Sequence, residues 1–140
     1  MTGPDLQTLV DTHPDAETFR FGDGPALSAE ILALVRAGTK TVTVEAMRVY
    51  EAPEGDALPE VGRRDIALEW DGCPAVMVET VAVDRMRFDE MTEDRVAAQG
   101  EFRDLAHWRD GYRAYFQRTG GWSEDLALMV ETFRVVEDYA

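Results

Sequence analysis

The cationic side chains of this chain are thirteen arginines and a single lysine, Lys40. Lysine permits chemistry that arginine does not: burial lowers the pKa of its compact ammonium, so that it can serve as a base, whereas guanidinium stays charged. Against so strong a bias toward arginine, Lys40 is the first residue to examine for a chemical role. The competing reading is chance retention on the surface.

Other reactive residue types are less well placed. Cys73 stands alone in a turn-like Asp71-Gly72-Cys73-Pro74, with no second cysteine or histidine at metal-ligand spacing. His13 lies in the N-terminal stretch and His107 on a charge-rich segment, and both read as surface residues. Glu54, Asp56 and Glu60 lack the fixed spacing of a metal loop, so no metal or other cofactor is expected. Arg63-Arg64 and Arg85-x-Arg87 are basic clusters flanked by acids; they fit either guidance of an RNA strand or solvated ion pairing.

Charge narrows the partners. The formal net charge of −14 opposes nonspecific phosphate binding, which sums many Lys and Arg contacts, so a nucleic-acid partner requires a local basic pocket. The acidic excess also fits a plain solubility role. No stretch reaches the roughly 18 apolar residues of a membrane span. The first sixteen residues carry acids where a signal peptide needs basic and apolar regions, so a cytoplasmic protein is expected. With 140 residues, 45% apolar and 30% charged, the chain suits one folded domain, residues 1–140, with 1–16 as a loosely attached extension.

The elements that must position Lys40 are legible. Pro25 suits a first helical turn, Leu27, Ile31, Leu34 and Val35 repeat at helical spacing, and Gly38 stops the helix just before Lys40. Residues 41–46 then alternate as a strand. Residues 52–62, punctuated by Pro53, Gly55, Pro59 and Gly62, read as a long loop. Strands over 65–70 and 75–83 flank the Asp71 to Pro74 turn as a hairpin, with Ile66, Leu68 and Trp70 on one face. Thr92 caps a short helix ending at Gln99-Gly100. A longer helix over 103–118 carries Leu105, Trp108, Tyr112, Tyr115 and Phe116 on one stripe, and a last strand covers about 128–137. Hairpin-connected strands interrupted by helices predict an α+β domain around a curved sheet or small barrel.

The string Gly38-Thr39-Lys40-Thr41 is not a phosphate loop, because its lysine follows a helix and enters a strand. Three segments together resemble the ASCH family: Phe21-Gly22-Asp23 with the helix into Ala37-Gly38-Thr39-Lys40-Thr41-Val42-Thr43, the stretch from Gln99-Gly100-Glu101 to Trp108-Arg109, and Trp122-Ser123-Glu124-Asp125 before the final strand. The resemblance spans roughly 19–136. It implies a PUA-like small β-barrel of mostly antiparallel strands with flanking helices, and a cleft around Lys40 that takes RNA or a nucleoside. Activities known in the family are RNA binding in transcription or translation, cleavage of single-stranded RNA, and amide hydrolysis of N4-acetylcytidine.

The wider family pattern would put Glu and Arg where Thr43 and Glu45 stand, so the chain is closer to the branch with Thr three residues after Lys. Deacetylating members of that branch pair Lys and Thr with a Glu farther along. An ungapped match from Thr92 places Gln99 there, with Glu101 the nearest acid. The catalytic reading therefore makes Lys40 the base that activates the Thr43 hydroxyl or a water, with Glu101 as proton shuttle. It requires Lys40 to sit in the turn before the strand, since within a regular strand it and Thr43 would point to opposite faces.

The binding reading places Lys40 with Arg36 or Arg109 on phosphate and Trp108, Trp122 or Tyr50 against a base. On its apolar stripe Trp108 more commonly serves the core, whereas Trp122, after paired glycines, is expected to be exposed. Ser123 fits a ligand contact or a turn cap. Nothing in the residues defines an oligomeric state.

Overall fold

A computed structural model describes residues 4–139 of the chain. Helix α1, Leu6–Thr12, starts at Asp5, whose carboxylate accepts from Thr8 N, and buries Leu9 against Ile66, Leu68, Met77 and Tyr139. This contact packs the N-terminal helix onto the sheet. Strand β1 is only Thr18–Phe19. Helix α2, Pro25–Arg36, buries Ile31, Leu32 and Val35, with Pro25 in its first turn as its spacing predicts. Strand β2 is Val42–Ala46, followed by a single helical turn, α3, Arg48–Glu51.

Strands β3, Arg64–Leu68, and β4, Pro74–Arg87, form the expected hairpin. Its turn is closed by Asp71, which accepts from Cys73 N, and by Gly72 at φ +96°. Strand β3 ends before Trp70, which stands exposed beneath the Arg20 guanidinium instead of sharing a face with Ile66 and Leu68. After a 3-10 turn at Phe88–Glu90 come α4, Glu93–Gln99, capped by Thr92, and α5, Leu105–Thr119, capped by Asp104. Strand β5, Ala127–Asp138, closes the chain.

The strands form one sheet in the order β1-β3-β4-β5-β2. The expected closed barrel is not formed: β1 and β2 are the two edges and do not pair with each other. Two residues of β1 leave almost no ladder to close with, and the Thr41 N–H leading into β2 goes to Ala98 O instead of another strand. The sheet is also mixed, because β1 runs parallel to β3 while the other pairs are antiparallel. Register shifts interrupt β4 between Met77 and Val78 and between Thr80 and Ala82, breaks of the kind that bend a strand.

Alternation along β2 separates two environments. Val42, Val44 and Ala46 join Phe88, Val96, Trp108, Phe116, Leu128 and Val130 in the core, while Thr43 and Glu45 are only half-buried. A second cluster packs α2 through Ile31, Leu32 and Val35 on Val76, Val78 and Phe133. Among the described residues no helix is long and apolar enough to cross a membrane.

Candidate functional site

Helix α2 stops where Gly38 turns at φ +77°, a conformation that favours glycine, and Leu34 O accepts both Thr39 N at 3.0 Å and Lys40 N at 3.1 Å. Lys40 thus sits in the turn ahead of β2, the position the catalytic reading requires. On its other side, Thr41 N donates to Ala98 O at 2.8 Å and Thr41 O accepts Phe133 N at 2.9 Å. Gly100, at φ +75°, lies against the Thr39–Lys40 backbone so closely that a Cβ there would meet Thr39 O at 3.1 Å. Two helix ends therefore clamp the lysine segment between them.

The Lys40 side chain is only 2% exposed, and its ammonium has three acceptors, matching its three donors. They are Val42 O at 2.8 Å, Gln99 O at 3.3 Å and Glu101 Oε2 at 2.8 Å. Burial lowers the Lys40 pKa below the ordinary lysine value, and the Glu101 carboxylate opposes that shift without cancelling it. Glu101 is partly open, so the pair reaches from the core to a cleft.

That cleft has a volume of about 710 Å³, and Lys40, Thr43, Tyr50 and Glu101 all line it. Its wall runs from the β1 edge, through Phe19 and Phe21, across β4 and β5, to Thr43 and Glu45 on the β2 edge. The cleft thus spans the opening between the two sheet edges. Thr43 faces Glu131 across the β2–β5 ladder. Glu131 accepts the Thr80 hydroxyl at 2.7 Å, and burial pushes its carboxyl above the usual range. Glu45 accepts the Tyr115 hydroxyl at 3.0 Å and Ala46 N at 2.9 Å. Burial and the nearby Glu45 raise the Tyr115 phenol to about 12.

The cleft is acidic, and its cations are engaged. Glu17, Asp23, Glu45, Asp56, Asp65, Glu101 and Glu131 line it against Arg20, Lys40, Arg63 and Arg118. Arg63 bridges Glu17 at 2.8 Å and Asp65 at 3.1 Å, while the Arg20 and Arg118 guanidinium groups lie over Trp70 and Tyr115. Among the described residues no three His, Cys, Asp or Glu side chains cluster to hold a metal.

Five residues proposed to contact ligand, Arg36, Trp108, Arg109, Trp122 and Ser123, lie outside the cleft wall. Arg36 pairs with Glu69 and Asp138 and donates to Ala75 O. Arg109 is exposed on α5, and Ser123 is an exposed turn residue whose hydroxyl donates to Asp125. Trp108 is fully buried, stacked on Phe88 at 4.8 Å, with Nε1 donating to Gln99 Oε1 at 2.9 Å. No face of its ring remains for a base. Trp122, expected to be exposed, is half-buried against Phe88 with Arg113 over its ring.

The Trp108 bond explains Gln99. Its side chain is a buried bracket between Trp108 and Arg95 O, and only its backbone carbonyl meets Lys40, so Glu101 is the acid on the lysine. Composition and spacing did not single out Glu45, Asp65, Tyr112 or Glu131 as cleft residues. The β period of residues 41–46 already placed Glu45 with Thr43; the other three depend on strand pairing and helix docking.

The ASCH domain model matches residues 17–137, nearly the whole described chain. The chain belongs to the ASCH domain family. A search of curated proteins finds no match. Among solved structures, an ASCH domain from Lactobacillus crispatus superposes with a TM-score of 0.82 at 24% identity, covering 94% of this chain and 86% of that one. A protein from Enterococcus faecalis does so with 0.80 at 25% identity, covering 96% and 86%. An ASCH protein from Zymomonas mobilis is more distant, with 0.55 at 13% identity over 88% and 68%. The family is RNA-binding-like, and this ASCH domain is a mixed α+β fold with an open five-stranded sheet. Helix α1 lies outside the matched residues.

Proposed function

We propose that the cleft around Lys40 takes an RNA base or modified nucleoside and hydrolyses the amide of an N4-acylated cytidine, N4-acetylcytidine first. The observation that carries this reading is the Lys40–Glu101 pair, 2.8 Å apart, opening on a cleft that Thr43 also lines. A desolvated lysine is a base at lower pH than a free one, and an adjacent carboxyl can relay its proton.

In the proposed reaction the neutral Lys40 amine takes the Thr43 hydroxyl proton as Oγ adds to the acyl carbon. The proton passes through Glu101 to the departing N4 as the C–N bond breaks. Water then adds to the Thr43 ester with Lys40 again as base, releasing the acid and freeing Oγ. A water activated directly by Lys40 gives the same products. Thr43 is suited to the first route because its hydroxyl has no hydrogen-bond partner among the described residues.

The acidic lining favours an uncharged nucleoside over a phosphodiester chain, because the cleft's cations already face carboxylates, carbonyls or rings. The walls Phe19, Phe102 and Tyr50 supply faces for a base.

The test is incubation of the purified chain with N4-acetylcytidine beside Lys40→Arg, following cytidine by chromatography. Release by the wild type alone supports hydrolysis through a titratable amine. No release from either at high protein concentration removes this substrate and leaves noncatalytic RNA binding, or cleavage of single strands, for titration with RNA oligonucleotides.

A further inference from the structure

We infer that the Tyr112 hydroxyl is the hydrogen-bond donor that meets the acyl oxygen of the substrate and stabilises the oxyanion formed there. The inference rests on the amide-hydrolysis reading and adds a catalytic residue to it.

Amide hydrolysis places negative charge on the former carbonyl oxygen, and an active site needs a fixed donor at that point. Lys40 is poorly placed to serve, since its three donors already have three acceptors. The Tyr115 hydroxyl is committed to Glu45, the Thr80 hydroxyl to Glu131 and Trp108 Nε1 to Gln99. Tyr112, on α5, lines the same cleft as Lys40, Thr43 and Glu101, and among the described residues its hydroxyl has no partner. Unlike Trp122 Nε1 and Ser28 Oγ, it is not a sealed, unpartnered group.

Its ring is held by neighbours: Trp108 at 5.1 Å, Phe116 at 5.4 Å, Phe102 at 5.6 Å and Tyr115 at 5.8 Å between centroids. Gly111 lets Phe102 pack close, since a Cβ there would lie 3.1 Å from that ring. The donor is therefore fixed before substrate arrives. Burial, then the charges of Glu101 and Glu45, hold the phenol well above its ordinary pKa, so it stays protonated. Tyr50 also has an unpartnered hydroxyl, but the charges acting on it are those of Glu45, Glu131 and Asp56, without Glu101. Tyr112 is thus the phenol coupled to the reactive carboxylate.

As Oγ of Thr43 or a water adds to the acyl carbon, the carbonyl π pair moves onto oxygen, and the hydrogen bond that the Tyr112 hydroxyl donates to it shortens without transferring its proton. When the C–N bond breaks, that pair re-forms the carbonyl.

The experiment is steady-state kinetics of wild type and Tyr112→Phe on N4-acetylcytidine, with thermal melts of both. Phenylalanine keeps the ring packing, so the unfolding midpoint should stay within a few degrees. A fall in kcat of about 100-fold with KM within about twofold is expected for a lost oxyanion donor. If kcat stays within about threefold of wild type, or only KM rises, Tyr112 is not that donor and the hydrolytic reading stands without it. If the melt drops sharply, the same comparison is made with 3-fluorotyrosine at position 112, which keeps the hydroxyl. Recovery of kcat supports the donor and its absence overturns it. A wild type inactive on the substrate overturns both readings.

Discussion

Replacing Glu101 with alanine tests whether the lysine is held as a buried charge. The 2.8 Å separation corresponds to about 6 kcal/mol of attraction at an effective dielectric near 20. Truncation does not forfeit all of that, because Val42 O and Gln99 O still accept from Nζ and cleft water can reach the space left by the carboxylate. Loss of one partner of a buried pair costs about 3–5 kcal/mol, and the partial opening of Glu101 puts the expectation near 3 kcal/mol. That lowers the melting midpoint by roughly 10 °C, measurable by calorimetry and chemical denaturation.

The pH dependence has a definite sign. Lys40 releases its proton at lower pH in the folded chain than in the unfolded one, so between those two values the unfolded state binds more protons and stability rises with pH. Removing Glu101 takes away the contribution that holds the folded value up, extending the window downward. The deficit of the variant should therefore be largest near neutral pH and shrink as pH rises toward the ordinary lysine value. The double variant Lys40→Met/Glu101→Ala, with no buried charge, should be more stable at neutral pH than Glu101→Ala alone. A Glu101→Ala deficit under about 1 kcal/mol at neutral pH, or one that does not change with pH, would refute this account.

Two further outcomes follow from the clamp around Lys40. Gln99→Glu, which installs an acid where the ungapped match from Thr92 expects one, should destabilise the domain by about 3 kcal/mol, since it buries a carboxylate beside Trp108. It should not restore turnover to a Glu101→Ala protein, as denaturation and cytidine-release assays would show. Gly100→Ala should cost roughly 2 kcal/mol, because its φ of +75° disfavours a side chain and the new Cβ presses on Thr39 and Lys40 backbone. Chemical denaturation measures the cost, and a change smaller than about 0.5 kcal/mol would count against the clamp.

Several features of this ASCH domain were determined by the sequence alone, because they depend on neighbours a few residues away. The α2 period with Pro25 and Gly38 at its ends, the alternation that puts Thr43 and Glu45 on one side of β2, and the Asp71–Pro74 turn are local patterns. So is the placement of Lys40 between helix and strand, which made it the first candidate. The bias of thirteen arginines to one lysine identified the residue type before any partner was known.

What only the tertiary structure decided are the pairings across long separations. Whether the sheet closes depends on how β1 and β2 meet their neighbours, and two residues of β1 beside β3 leave it open. Trp108 was open to either a base or the core, and Gln99 stood where an acid was expected; α5 docks so that the two satisfy one another in the core. Arg36 is carried to Glu69 and Asp138, outside the cleft wall, while Arg63, Asp65, Tyr112 and Glu131 converge on the cleft. A buried polar group must find a partner wherever the chain folds one to it, and that partner has no fixed distance along the sequence.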